Sequence, residues 1–316
     1  MSLNPEIETL LKQLAVKDAP APQTLTVAEN RAAGRAFATL AGDTPPVGDV
    51  RDTAVPGDSY DIPVRIYRPL TEMGTSAEPG PLPVTLFFHG GGWVFGDLDT
   101  QDHIARTITA RSRTIVVSVD YRLAPEHRFP AAVDDAYTAL AWIAYNAAGF
   151  GGDPERIAVF GESAGGNLAA VLAQESQRRG GPRITTQVLA YPALDRFDDS
   201  PSMYENLTGP VLSRSYLEWF WGAYLTTPDQ GADPRVSPGR AEDLTGLPPA
   251  VIATAEHDPL RDQGDHYARR LAEAGVPVEH LPVQGATHGF LSFTGPVQLA
   301  RDVLDQLAEA VGRAFR

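Results

Sequence analysis

The chain of 316 residues contains no cysteine. Disulfides, thiolate nucleophiles, zinc–thiolate sites and iron–sulfur clusters are thereby excluded. Lysine is nearly absent: Lys12 and Lys17 are the only two, both close to the first residue. A Schiff-base lysine or a serine–lysine dyad has almost nothing to draw on. No apolar run reaches the length needed to span a bilayer. The first residues place Glu6, Glu8, Lys12 and Lys17 among Leu and Ile. That reads as an amphipathic helix rather than a signal peptide, so a cytoplasmic protein is expected. Cationic charge is also short. The formal net charge of −14 argues against nucleic-acid binding and against insertion at anionic membranes.

What is present is ordinary for a folded globular protein: 43% apolar and 21% charged residues. The length allows up to two domains, although single α/β domains of this size are common. Short apolar runs at 84–88, 114–119, 157–160, 187–190, 250–254 and 278–283 predict strands, and 63–68 alternates like an edge strand. Helical spacing covers 103–111, 131–148, 168–178, 262–274 and 297–315. Strands alternating with helices predict right-handed crossovers and a mostly parallel sheet covered on both faces. A Gly/Pro/Thr/Ser-rich stretch at 71–83 reads as a surface turn.

Two regions break the alternation. Residues 1–50 look like two helices with a joint near 18–23. Residues 193–235 follow Tyr191-Pro192 and carry Tyr216, Trp219, Phe220, Trp221 and Tyr224 in one helical stretch. An insertion there can sit over the carboxyl ends of the strands, where open α/β sheets bind ligands. The predicted organisation is an N-terminal helical cap segment (1–50), a first core part (51–192), a cap insertion (193–235) and a second core part (236–316).

The chemistry is written most clearly in Gly161-Glu162-Ser163-Ala164-Gly165. A strand-like run precedes it and helical spacing follows, the context of a Gly-x-Ser-x-Gly nucleophile elbow. Such a turn presents one hydroxyl at the top of a sheet with a helix N-terminus behind it. Gly166 three residues after Ser163 rules out the Ser-x-x-Lys pattern. A serine hydroxyl needs a base and donors for the oxyanion that forms. In the elbow's chain order an acid and then a histidine follow the serine. Four histidines do so: His257, His266, His280 and His288. His288 lies in a predicted loop between the last strand and the last helix and is favoured as the base. Among Glu256, Asp258, Asp262 and Asp265, Asp258 is favoured, because Pro259 keeps it extended and out of the next helix. His89-Gly90-Gly91-Gly92-Trp93 follows another strand, and consecutive glycines let backbone N–H groups turn toward a ligand. Ala164 N–H, just after the nucleophile, adds a donor. His89 reads as a structural hydrogen-bonder rather than a second base.

These motifs, with Tyr121-Arg122-Leu123-Ala124-Pro125-Glu126, Asp258-Pro259-Leu260-Arg261-Asp262 and His288-Gly289-Phe290, resemble the hormone-sensitive lipase family of α/β-hydrolases. The resemblance spans residue 63 to the last residue. It implies an α/β-hydrolase fold, with a mostly parallel eight-stranded sheet flanked by helices and a helical cap. It implies a triad of Ser163, Asp258 and His288, and an oxyanion hole of Gly91, Gly92 and Ala164. The activity implied is carboxylesterase: hydrolysis of small esters with short or medium acyl chains through an acyl-enzyme, with no cofactor and no metal. A homodimer is a frequent state in the family. Many members carry Asp where this chain has Glu162. Trp93 and Phe95 are candidates for lining the substrate pocket or for packing. An amidase, lactonase or acyltransferase would use the same chemistry, and a non-catalytic ligand receptor would use the same scaffold.

Overall fold

In the computed structural model, which describes residues 2–15, 21, 24–57, 60–70 and 80–316, the apolar runs form one eight-stranded sheet. The strands are β1 (Asp49–Val55), β2 (Ile62–Arg68), β3 (Leu82–Phe88), β4 (Ile115–Val119), β5 (Gly152–Glu162), β6 (Ile184–Ala190), β7 (Ala250–His257) and β8 (Val278–Thr287). Their spatial order is β1-β2-β4-β3-β5-β6-β7-β8. β1 pairs with β2, and β2 with β4, antiparallel; the remaining pairs are parallel. The expected edge strand at 63–68 is not at the edge, because β1 pairs along its whole length. β1 carries mostly exposed side chains and a single buried one, Val55. That polarity gave it no apolar signal in the sequence.

Helices cover both faces. On one side α4 (Ala131–Asn146), α5 (Ala164–Arg179) and α8 (Arg261–Glu273) bury Leu140, Leu168 and Leu271 against β3 and β5 side chains such as Leu86 and Val159. On the other, α3 (Asp102–Ser112) and α9 (Gln298–Arg313) bury Ile108 and Leu304 against Phe87 and Phe160. Each such fully buried aliphatic side chain stabilises the fold by about 1.5–3 kcal/mol relative to exposure. Among the described residues no helix is long and apolar enough to cross a membrane.

Register, more than any single contact, assembles the site. Phe88 pairs with Gly161, Glu162 with Ala190, and His257 with Thr287. Parallel strands end together, so the loops after β3, β5, β7 and β8 open on one edge of the sheet.

The two irregular regions attach to that edge. In α1 (Pro5–Leu14) the Asn4 side chain caps the helix by accepting from Glu6 and Ile7 N–H. Asn4 N–H donates to Gly285 O in β8, and Ile7 and Leu10 are buried on the α9 side. In α2 (Val27–Phe37) Thr26 and Glu29 form a reciprocal capping box. Arg31 of α2 donates to the Val94 and Ala124 carbonyls and grips Glu126 with both terminal nitrogens, at 2.8 and 2.7 Å. The insertion supplies α6 (Pro201–Glu205) and α7 (Arg214–Tyr224). Asn167 Nδ2 donates to both Ala193 O and Val236 O, each at 2.8 Å, pinning the two ends of the insertion to α5. Tyr216 Oη donates to Asn30 Oδ1, joining α7 to α2. Of the expected turn at 71–83, residues 71–79 lie outside the described residues and residues 82–83 open β3 instead; the expected joint at 18–23 lies outside them except for residue 21.

A Cβ on Gly165 would lie 2.0 Å from Phe88 O and 2.5 Å from His89 O. Gly165→Ala is therefore expected to destabilise the protein by about 3 kcal/mol through backbone displacement. Urea unfolding checks this; an unchanged midpoint would contradict the packing described.

Candidate active site

Ser163 stands between β5 and α5 with φ 55° and ψ −117°. This left-handed backbone is uncommon for a residue with a Cβ and is held by its surroundings. Ser163 N–H donates to Ala190 O, and Ser163 O accepts from Asn167 and Ala193 N–H. A Cβ on Gly161 would approach Gly165 O to 2.0 Å, so the turn closes only with glycine there.

The structure brings three of the expected side chains together. Ser163 Oγ lies 2.9 Å from His288 Nε2, and His288 Nδ1 lies 2.7 Å from Asp258 Oδ2. An ionised carboxylate only accepts, so Nδ1 carries the hydrogen and Nε2 is free to accept from the serine hydroxyl. Asp258 is fully buried and its other oxygen accepts from Leu260 N–H at 2.8 Å. The remaining candidates are engaged elsewhere. Glu256 accepts from Gly285 N–H, Asp262 from Ser202 N–H, and Asp265 from Thr254 Oγ1 beside His280. His257 points toward Glu256 at 3.9 Å, and His266 borders a separate cleft near Asp195 and Asp262.

The glycine loop after β3 sits beside the elbow. Gly91 and Gly92 have φ 110° and 60°, values that favour glycine. Their N–H groups donate to no protein acceptor among the described residues, whereas Gly91 O accepts from Val94 and Phe95 N–H. Ala164 N–H opens the first turn of α5, where amides lack intrahelical acceptors. Three outside groups hold the loop. Tyr121 Oη donates to His89 O at 2.9 Å, Gly90 N–H donates to Glu162 Oε1 at 2.6 Å, and Phe220 of α7 covers Gly92. A Cβ on Gly92 would fall 2.1 Å from that ring.

His89 is structural in its contacts. It is fully buried, stacks on Tyr121 at 4.3 Å, and its Nδ1 lies 2.7 Å from Gly90 O. The carbonyl fixes the hydrogen on Nδ1 and leaves Nε2 without a protein partner among the described residues. Burial in this apolar niche pushes the imidazole down to about 4. Trp93 packs rather than lines an open pocket. It is 1% exposed, stacked on Tyr224 at 4.4 Å and close to Trp221. Phe95 instead borders a cleft of about 360 Å³ between α2 and the loop after β4, together with Arg31, Tyr60 and Arg122. Neither this cleft nor the one beside His266 includes Ser163 in its lining. Among the described residues no group of three or more His, Asp or Glu side chains could hold a metal ion.

Two interactions lay beyond sequence reasoning. The Glu162–Gly90 bond joins two motifs that each looked self-sufficient. The Tyr121 hydroxyl explains its place in the 121–126 motif, where Arg122 also pairs with Asp135 at 2.6 Å.

A model of the α/β-hydrolase fold matches residues 85–292. Carboxylesterase NlhH of Mycobacterium tuberculosis is 43% identical over 98% of this chain and 95% of its own length. Ethyl acetate hydrolase of Pseudomonas putida is 36% identical over 98% and 99%. An ester-hydrolase from the metagenome of Lake Arreo superposes with a TM-score of 0.93 at 39% identity, covering 99% of both chains. The chain belongs to the α/β-hydrolase fold family, in its hormone-sensitive lipase-like carboxylesterase group.

The His89 environment sets a pH dependence of stability. Its folded value of about 4 lies below the ordinary 6.5, so the unfolded chain binds the extra proton first as pH falls. The stabilisation is present above pH 6.5 and is lost between 6.5 and 4, by about 3 kcal/mol. His89→Asn is expected to be less stable at pH 7.5, with the gap to wild type closing by that amount at pH 4. Urea unfolding at both pH values reads this; a gap independent of pH would contradict it.

Proposed function

We propose that the protein hydrolyses carboxylic esters of short to medium acyl chain, with Ser163 as nucleophile, His288 as general base and acid, and Asp258 as the group that orients His288. The observation that carries this reading is the unbroken contact chain Ser163 Oγ–His288 Nε2 and His288 Nδ1–Asp258 Oδ2. Nε2 takes the hydroxyl proton as Oγ adds to the ester carbonyl. The oxyanion is stabilised by the N–H groups of Gly91, Gly92 and Ala164. The imidazolium returns the proton to the leaving alcohol, and the acyl-enzyme is released by water activated through His288. Asp258 stabilises the imidazolium without taking its proton.

The acyl-length preference is supported from two sides. Phe220, tilted against Phe95 and Tyr216, packs directly over Gly92 and occupies that side of the glycine loop. A relative along almost the full chain is an ethyl acetate hydrolase. Residues 1–50 and 193–235 act together as the cap, joined by the Tyr216–Asn30 bond.

Ser163→Ala is expected to abolish turnover of p-nitrophenyl butyrate, and Asp258→Asn to lower kcat by about 10³–10⁴. Retained turnover in the serine variant refutes the reading. Across a series of nitrophenyl esters, kcat/KM is expected to peak at eight acyl carbons or fewer. A rise continuing to sixteen carbons would overturn the acyl-length assignment, and faster turnover of matched anilides would make the enzyme an amidase.

A further inference from the structure

We propose that Glu162 is a positioning residue that locks the glycine loop to the nucleophile turn, so that the Gly91 and Gly92 N–H groups hold their place relative to Ser163. The proposal rests on the reading of Ser163 as the nucleophile. Glu162 is the last residue of β5 and immediately precedes Ser163. It is 4% exposed, and its Oε1 accepts from Gly90 N–H at 2.6 Å. The carboxylate lies flush on that glycine: a Cβ on Gly90 would fall 2.2 Å from Oε1 and 2.6 Å from Cδ. Gly90 thus has no side chain because Glu162 occupies its place.

The other bonds along this loop come from elsewhere. Tyr121 holds His89 O, His89 Nδ1 holds Gly90 O, and the next turn holds Gly91 O. These bonds fix the loop's shape. Only the Glu162 bond, among the described residues, ties a side chain of the nucleophile turn to a backbone amide of the loop, adding a directional bond to the packing of Gly165 against the Phe88 and His89 carbonyls. The next two amides along the chain, at Gly91 and Gly92, have no protein acceptor among the described residues. A loop of glycines has little intrinsic rigidity, so its placement must come from such outside bonds.

The surroundings fit a function rather than a stability role. Burying a carboxylate is costly, and Glu162 has no arginine or lysine partner among its described contacts. Burial raises its carboxyl above the ordinary value, opposed by the charge of His288 and by the Gly90 N–H. Tyr191, whose ring meets His288 edge-on at 5.0 Å, lies against the same carboxylate. The Glu162 side chain spans the gap from the nucleophile turn to the Gly90 N–H.

The test compares Glu162→Ala, Glu162→Asp and Glu162→Gln with wild type and Ser163→Ala. Three quantities are read: kcat and KM for p-nitrophenyl butyrate, and inhibition by phenylboronic acid, which forms a tetrahedral adduct on an active serine. Glu162→Ala is expected to lose about 10–100-fold in kcat with KM within threefold, because ground-state binding does not use the oxyanion donors. Boronic acid affinity should fall in parallel with kcat. Glu162→Gln keeps the acceptor oxygen and the shape, so it should recover kcat to within about threefold of wild type; Glu162→Asp should fall between. A Glu162→Ala enzyme with unchanged kcat overturns the proposal. So does an equal loss in the Gln variant, since the acceptor is then irrelevant. Turnover surviving in Ser163→Ala would instead overturn the underlying reading of the site.

Discussion

The left-handed backbone at Ser163 is the constraint on which the rest of the molecule turns. A φ of 55° on a residue with a side chain persists only where neighbours over-determine it. Here β5 feeds the turn from below, α5 begins at once above it, and Gly161 and Gly165 let the two segments touch. The same crowding brings Gly165 against the carbonyls of Phe88 and His89, so the glycine loop and the elbow are packed as one piece. Parallel register then delivers the acid and the histidine from β7 and β8 to the same edge.

Much of this was legible in the chain, because the requirements leave discrete marks. A strained turn demands glycines at fixed offsets, a buried strand demands an apolar run, and Pro259 keeps Asp258 extended. The choice of His288 over His257, His266 and His280 rests on chain order, on the elements that hold each histidine, and on the resemblance. What was not legible depends on partners far apart in sequence. β1 is polar and pairs through its backbone, which no side-chain pattern reports. Trp93 looked equally suited to a pocket and to a core until Tyr224 and Trp221 were seen against it. The extent of the resemblance, from residue 63 onward, hid the dependence of the last strand on the cap of the first helix. There Asn4 N–H donates to Gly285 O.

Charge plays two separate parts. On the surface, pairs such as Lys12–Glu8 are exposed and contribute little. Inside, a few ionisable groups are enclosed by fixed partners. His89 stays neutral in its stack on Tyr121, and Asp258 accepts two hydrogen bonds in full burial. Around Ser163 the fixed features are the His288 tautomer and the backbone donors of the elbow.

Asn167 has a further consequence. One amide group clasps both ends of the insertion, so the lengthy excursion between Ala193 and Val236 leaves and returns through a single narrow gate. A loop whose ends are already tethered can change its length, sequence or curvature with small entropic cost to the framework beneath. The insertion is therefore anchored to α5 at both ends, while Phe220 within it packs on Gly92, so a change along the excursion reaches the glycine loop through that ring.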